Sequence, residues 1–162
     1  MEAGNFSARF MGIAPMAARS PEVESGLRVL VADDNELIRR TMRCVLENAG
    51  CRVTLVGNGR EACATVEATA YDCIFMDQEM PVMTGTRAAR WIRAWEATGA
   101  GPLHRRLFIV AFTSDDRFRE PKVHEAAGMD AFLGKPAQPW ELKELLERAL
   151  AASRAQAGIA AA

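Results

Sequence analysis

Several kinds of chemistry are set aside by what this 162-residue sequence lacks. Its four cysteines, Cys44, Cys51, Cys63 and Cys73, form no C-x-x-C pair, and the two histidines, His104 and His124, do not complete a zinc set. The thiols therefore read as reduced and mostly packed, as in a cytosolic protein. Basic residues are not in surplus: Lys and Arg number 20 against 21 Asp and Glu, for a formal charge of -1. No wide surface for phosphate backbones follows from that balance, and nucleic acid is not an expected direct partner. No run approaches the roughly 18–20 apolar residues of a membrane helix. The apolar segment 10–18 contains Pro15 and is preceded by little positive charge, which argues against an export signal.

What is present is the mix of a soluble globular chain, 49% hydrophobic and 25% charged, at a length that suits one domain. Residues 1–26 carry Gly, Ala, Ser and Pro without sustained period and read as a flexible leader. Residues 27–152 hold the periodic pattern of a folded domain, and 153–162 form an Ala-rich tail expected to fray.

Within 27–152 two periods alternate. Leu27 to Ala32 is an apolar, β-branched run; Asp33-Asp34-Asn35 follows, then Ile38, Met42, Val45, Leu46 and Ala49 at the spacing of one helical face, closed by Gly50. Cys51 to Val56 predicts a second strand, Asn58-Gly59 a turn, and Ala62 and Val66 a weaker helix. Cys73 to Met76 predicts the third strand, with a helix after Gly85 carrying Trp91, Ile92 and Trp95. Leu107 to Phe112 predicts a fourth strand ending at Thr113, followed by a short helix before Gly128 and a brief strand from Ala131 to Leu133. Trp140, Leu142, Leu145, Leu146, Ala149 and Leu150 mark a strongly amphipathic last helix. Five strands alternating with five helices predict an α/β fold, a doubly wound (βα)5 three-layer sandwich around a parallel five-stranded sheet.

In such sheets ligands bind beyond the carboxyl ends of the strands. There the sequence sets Asp33-Asp34 after strand one, Asp77 after strand three, Thr113-Ser114 after strand four and Lys135-Pro136 after strand five. Two carboxylates about 4 Å apart repel by about 4 kcal/mol even at an effective dielectric near 20, so a cation is expected among them. With no His or Cys at these strand ends, a hard, oxygen-seeking ion such as Mg²⁺ fits the donors. Magnesium commonly accompanies phosphoryl groups, which makes Asp77 a candidate nucleophile, Lys135 its cation and Thr113 a hydroxyl donor. Each residue alone has a plainer meaning: an acid doublet before a helix caps it, and a lone lysine or threonine is a surface or turn residue. That plainer account requires coincidence at four strand ends in order.

The stretches VLVADDNELIRR, YDCIFMDQEMPVMTG, IVAFTSD and GMDAFLGKP resemble the receiver domains of two-component response regulators over about residues 27–152. The resemblance implies a flavodoxin-like strand order 2-1-3-4-5 and Asp77 as phosphoacceptor. It also implies Mg²⁺ held directly by Asp34 and Asp77, by Asp33 mainly through water, and by the carbonyl of Glu79. Thr113 and Phe132 would be the switch hydroxyl and switch aromatic, and the Lys135-Pro136 bond would be cis. The partners implied are a sensor histidine kinase or histidine phosphotransfer protein, and a downstream protein bound through the face of helix four, strand five and helix five. A phosphorylation-dependent homodimer, a cytoplasmic location and no turnover of a separate metabolite complete the expectation.

Departures from the family pattern are specific. Thr84 stands where an acid often precedes Gly85, and Phe132 lacks a tyrosine hydroxyl, leaving its rotamers to packing alone. Glu79 and Asp115 are both acidic at positions that tune hydrolysis of the acyl phosphate; their charge either repels or orients the attacking water. The connection 98–106 is long, as in receivers joined to hybrid kinases, so a freestanding regulator and a receiver of a larger kinase both remain open. The residues after Lys135 are expected to hold the last helix and a tail but no DNA-binding output domain. Competing readings are a Mg²⁺-dependent phosphohydrolase with Asp77 as nucleophile and Glu79 as second acid, or a pseudo-receiver that works without phosphate. His104 and His124, and the cluster Arg87, Arg90 and Arg93, read as solvated; Trp91 and Trp95 read as packing, and Trp140 as a partner anchor.

Overall fold

The computed structural model describes residues 26–100 and 105–160. Five strands, β1 (Arg28–Ala32), β2 (Arg52–Val56), β3 (Cys73–Met76), β4 (Phe108–Thr113) and β5 (Ala131–Gly134), form one parallel sheet in the order β2-β1-β3-β4-β5. Helices α1 (Glu36–Asn48), α2 (Gly59–Ala68), α3 (Gly85–Ala97), α4 (Pro121–Ala126) and α5 (Pro139–Ala160) alternate with them, and a 3-10 turn, Asp116–Arg119, precedes α4. The predicted fold class and strand order are both observed.

The period of two along each strand divides the core. Val29, Val31, Cys73, Phe75, Val110 and Phe112 pack with Met42 and Leu46 of α1 and Leu142, Leu145 and Leu146 of α5. Their alternates, Leu30, Ala32, Ile74, Met76, Ile109 and Ala111, pack with Ala62 and Val66 of α2 and Ala88 and Ile92 of α3. Both faces of the inner strands are therefore covered, which is why those strands read as unbroken apolar runs.

Side-chain caps fix where the helices begin. The Oδ1 of Asn35 accepts from the backbone N–H groups of Leu37 and Ile38. Asn58 accepts from the N–H of Glu61, whose carboxylate reaches back to the N–H of Gly57 and the side-chain amide of Asn58. Thr84 accepts from the N–H of Arg87, so the hydroxyl that departs from the family pattern bonds locally and starts α3.

Four expectations need correction or placement. α5 continues to Ala160, through most of the Ala-rich stretch 153–162 expected to fray. Ser153 donates to Asp72, and Gln156 exchanges hydrogen bonds with the backbone N–H and C=O of Arg106, anchoring those turns. His124 is buried and its Nδ1 lies 2.8 Å from the carbonyl of Phe118, so it is not solvated. Arg93 is half-buried and fully engaged rather than solvated; its guanidinium donates to Glu96, Asp130 and the carbonyls of Leu107 and Gly128. The leader 1–25, His104 and part of the 98–106 connection lie outside the described residues.

Candidate functional site

The strand order places β1 beside β3, with crossovers leaving in opposite directions, and the rim beyond their carboxyl ends is the crevice such sheets offer. Asp33 ends β1 fully buried; its Oδ1 accepts from the N–H of Asn35, and its backbone carbonyl accepts from Arg39 Nη1. Asp34 is exposed at the mouth. Asp77 ends β3 almost buried, its Oδ1 accepting from the N–H of Gln78 at 2.8 Å. Oxygens of Asp33, Asp34 and Asp77 all lie within 4.8 Å of one another.

Lys135 arrives from β5, across β4, and places Nζ 2.6 Å from Asp33 Oδ2 and 3.2 Å from Asp77 Oδ1. Its ammonium also lies 5.0 Å from the centre of the Phe112 ring. The peptide bond that follows, Lys135-Pro136, is cis. One ammonium does not balance three carboxylates, and each close pair of like charges repels by about 3 kcal/mol at an effective dielectric near 20. Asp33 Oδ2 is buried, and among the described residues its partner is the Lys135 ammonium, an ion pair that it shares with Asp77. Three clustered carboxylates sharing one ammonium suit a hard divalent cation, and the ligand atoms present, all oxygen, fit Mg²⁺.

Burial is the main force on Asp77 and pushes its carboxyl above the ordinary range, against the pull of Lys135 and with some help from Asp33. Thr113 ends β4 buried, its Oγ1 accepting from the N–H of Asp115 and its carbonyl from the N–H of Lys135, which ties the ends of β4 and β5 together. Phe132 lies apart from the carboxylates, against the α2–α3 face of the core. It is not governed by packing alone, because the Arg119 guanidinium stacks over its ring at 5.1 Å.

The two acids at the rim differ. Glu79 is exposed in the loop after Asp77. Asp115 is gripped by Arg117, whose Nε and Nη2 donate to both carboxylate oxygens at 2.5–3.0 Å, holding the Asp115 carboxyl below its ordinary range. Arg117 thus supplies a positive charge that the acids alone did not announce; its place two residues after Asp115 was the available signal. Gln78, buried between Asp77 and α3, was missed as well.

The family model for the response regulator receiver domain matches residues 29–147. The chain belongs to that family. Receiver domains similar to it include that of the sensor histidine kinase PA1611 from Pseudomonas aeruginosa, crystallised with a magnesium ion in its active-site cleft. That domain is 33% identical, with a TM-score of 0.67 over 78% of this chain and 99% of the other. Full-length ShkA is 40% identical over 76% of this chain and 24% of that one, with a TM-score of 0.64. Among curated relatives, the sensor protein GacS of Pseudomonas syringae is 34% identical over 82% of this chain. The virulence sensor BvgS of Bordetella pertussis is 35% identical over 85%. This receiver spans only 14% and 11% of those two proteins. Among the described residues no helix is long and apolar enough to cross a membrane.

Proposed function

We propose that this receiver accepts a phosphoryl group on Asp77 from the phosphohistidine of a sensor kinase or phosphotransfer protein and thereby switches its protein contacts. The observation that carries the reading is the convergence of Asp33, Asp34, Asp77 and Lys135 from three strand ends, three carboxylates around one ammonium. Asp33, Asp34, Asp77 and the carbonyl of Glu79 would hold magnesium. Bound there, the ion supplies the positive charge that lets a phosphate approach three acids. A carboxylate oxygen of Asp77 forms the new O–P bond as the P–N bond to the donor imidazole breaks, and the released ring nitrogen takes up a proton. Lys135 offsets the anionic oxygens, and Thr113 offers its hydroxyl to the transferred group.

The partner class is supported by a yeast crystal structure that pairs the histidine phosphotransfer protein Ypd1 with the receiver of Ssk1, the latter 26% identical to this chain with a TM-score of 0.66. The output surface is the α4–β5–α5 face, where Trp140 stands 66% exposed at the start of α5. A cytosolic setting and a phosphorylation-dependent homodimer belong to the same reading. With acetyl phosphate and Mg²⁺ the protein is expected to gain one phosphoryl group; Asp77→Asn, or a chelator, abolishes it. Labelling that persists in Asp77→Asn places the acceptor elsewhere. Steady turnover of p-nitrophenyl phosphate, well above background, marks a phosphohydrolase instead.

A further inference from the structure

Gln78 is a polar side chain, 6% exposed, at a place where an apolar one would fill the space without cost. Burial of an amide is tolerated when its groups are paired, and here they are. Its Oε1 accepts from the Thr86 hydroxyl at 2.7 Å, and its Nε2 donates to the carbonyl of Met76 and lies equally near Met129 Sδ, both at 3.4 Å. The backbone carbonyl of Gln78 accepts from the N–H of Gly85. Two successive residues of α3 therefore clamp both oxygens of Gln78. Its remaining backbone group, the N–H, donates to Oδ1 of Asp77.

We propose that Gln78 is a positioning residue for phosphoryl acceptance: fastened to α3 through Thr86 and Gly85, it aims the N–H that holds Oδ1 of Asp77. Lys135 shares Oδ1, so among the described residues Oδ2 is the oxygen left without a hydrogen bond and with lone pairs to give. Gln78 touches no reacting atom of the donor; it acts through the orientation of Asp77. Orientation governs the rate of attack at saturating donor rather than donor binding, and small misplacements of a nucleophile are expensive. The inference rests on the acceptor reading of Asp77 given above.

The test measures phosphorylation of the full chain by acetyl phosphate in Mg²⁺ for the unmutated protein, Gln78→Leu, Thr86→Val, Thr86→Ser and the double variant Gln78→Leu/Thr86→Val. Gln78→Leu is expected to lower the maximal rate about tenfold while half-saturating donor stays within about twofold. Thr86→Val follows in the same direction by about threefold and Thr86→Ser restores the rate, since it keeps the hydroxyl. The double variant is no slower than Gln78→Leu, because one clamp cannot be broken twice. A Gln78→Leu protein that melts normally and labels at the full maximal rate overturns the proposal, as does a double variant whose losses multiply. Should Gln78→Leu fail to fold, the Thr86 pair decides: equal rates for Val and Ser overturn it. Absence of labelling in the unmutated protein would instead sink the acceptor reading itself, and this inference with it.

Discussion

Asp77 carries a conflict that its sequence position only hints at. Burial opposes its charge, Asp33 adds repulsion, and Lys135 must serve both acids with one ammonium. The balance leaves the carboxyl raised above its ordinary 3.8. A carboxyl raised on folding binds its proton more tightly in the folded chain than in the unfolded one. Its contribution to stability is therefore fully present below 3.8 and is lost as pH rises through the raised value. In chelator, the melting temperature of the unmutated protein should fall relative to Asp77→Asn as pH climbs out of that window. At pH 7 the variant should melt higher than the unmutated protein. Equal melting at pH 7 would mean that the buried charge costs nothing. The acids and Lys135 were legible in the sequence because strand ends fix their place whatever their neighbours do. Arg93 was not: its partner Asp130 is 37 residues away, and only the fold brings them together. Separation in sequence, though shorter, also hid the covering of Phe132 by Arg119, a contact between a turn and a strand.

Between elements the junction of β3 and α3 leaves no room for a side chain at Gly85. A Cβ on Gly85 would sit 2.0 Å from the backbone carbonyl oxygen of Asp77, with the Gln78 amide 2.9 Å away. No rotamer change relieves contact with backbone, so either the strand end or the helix start must move. Gly85→Ala is expected to destabilise by more than about 3 kcal/mol in urea unfolding and to lower labelling of whatever remains folded. A variant of near-normal stability would show that the junction is looser than the packing implies. The elements themselves were read well from sequence, since period-two runs and helical faces are local signals. The last turns of α5 were misjudged because alanine-rich composition shows propensity but not partners. Those partners are Asp72 and Arg106, far back in the chain.

The molecule as a whole divides its polar work between the two rims of one sheet. At the amino ends of the strands the charges are matched. Asp72 accepts from Arg105, Ser153 and the N–H of Arg28; Asp130 accepts from Arg93, Arg106 and the N–H of Ile109. At the carboxyl ends Asp33, Asp34 and Asp77 outnumber Lys135, whose one ammonium is shared between Asp33 and Asp77. Stability is thus invested at one rim and withheld at the other, where a cation and a phosphate are to bind. Strands of about five residues hold the rims roughly 15 Å apart, beyond the range at which substitutions usually couple. Deleting residues 153–162 removes Ser153 and Gln156 and should cost about 1–2 kcal/mol. Mg²⁺ at about ten times its dissociation constant should stabilise the intact chain by about 1.4 kcal/mol, and the shortened chain by the same increment. Measured together by urea unfolding, the two effects should add. Loss of the magnesium increment on truncation would show that the matched rim, through the sheet, also sets the geometry of the acidic one.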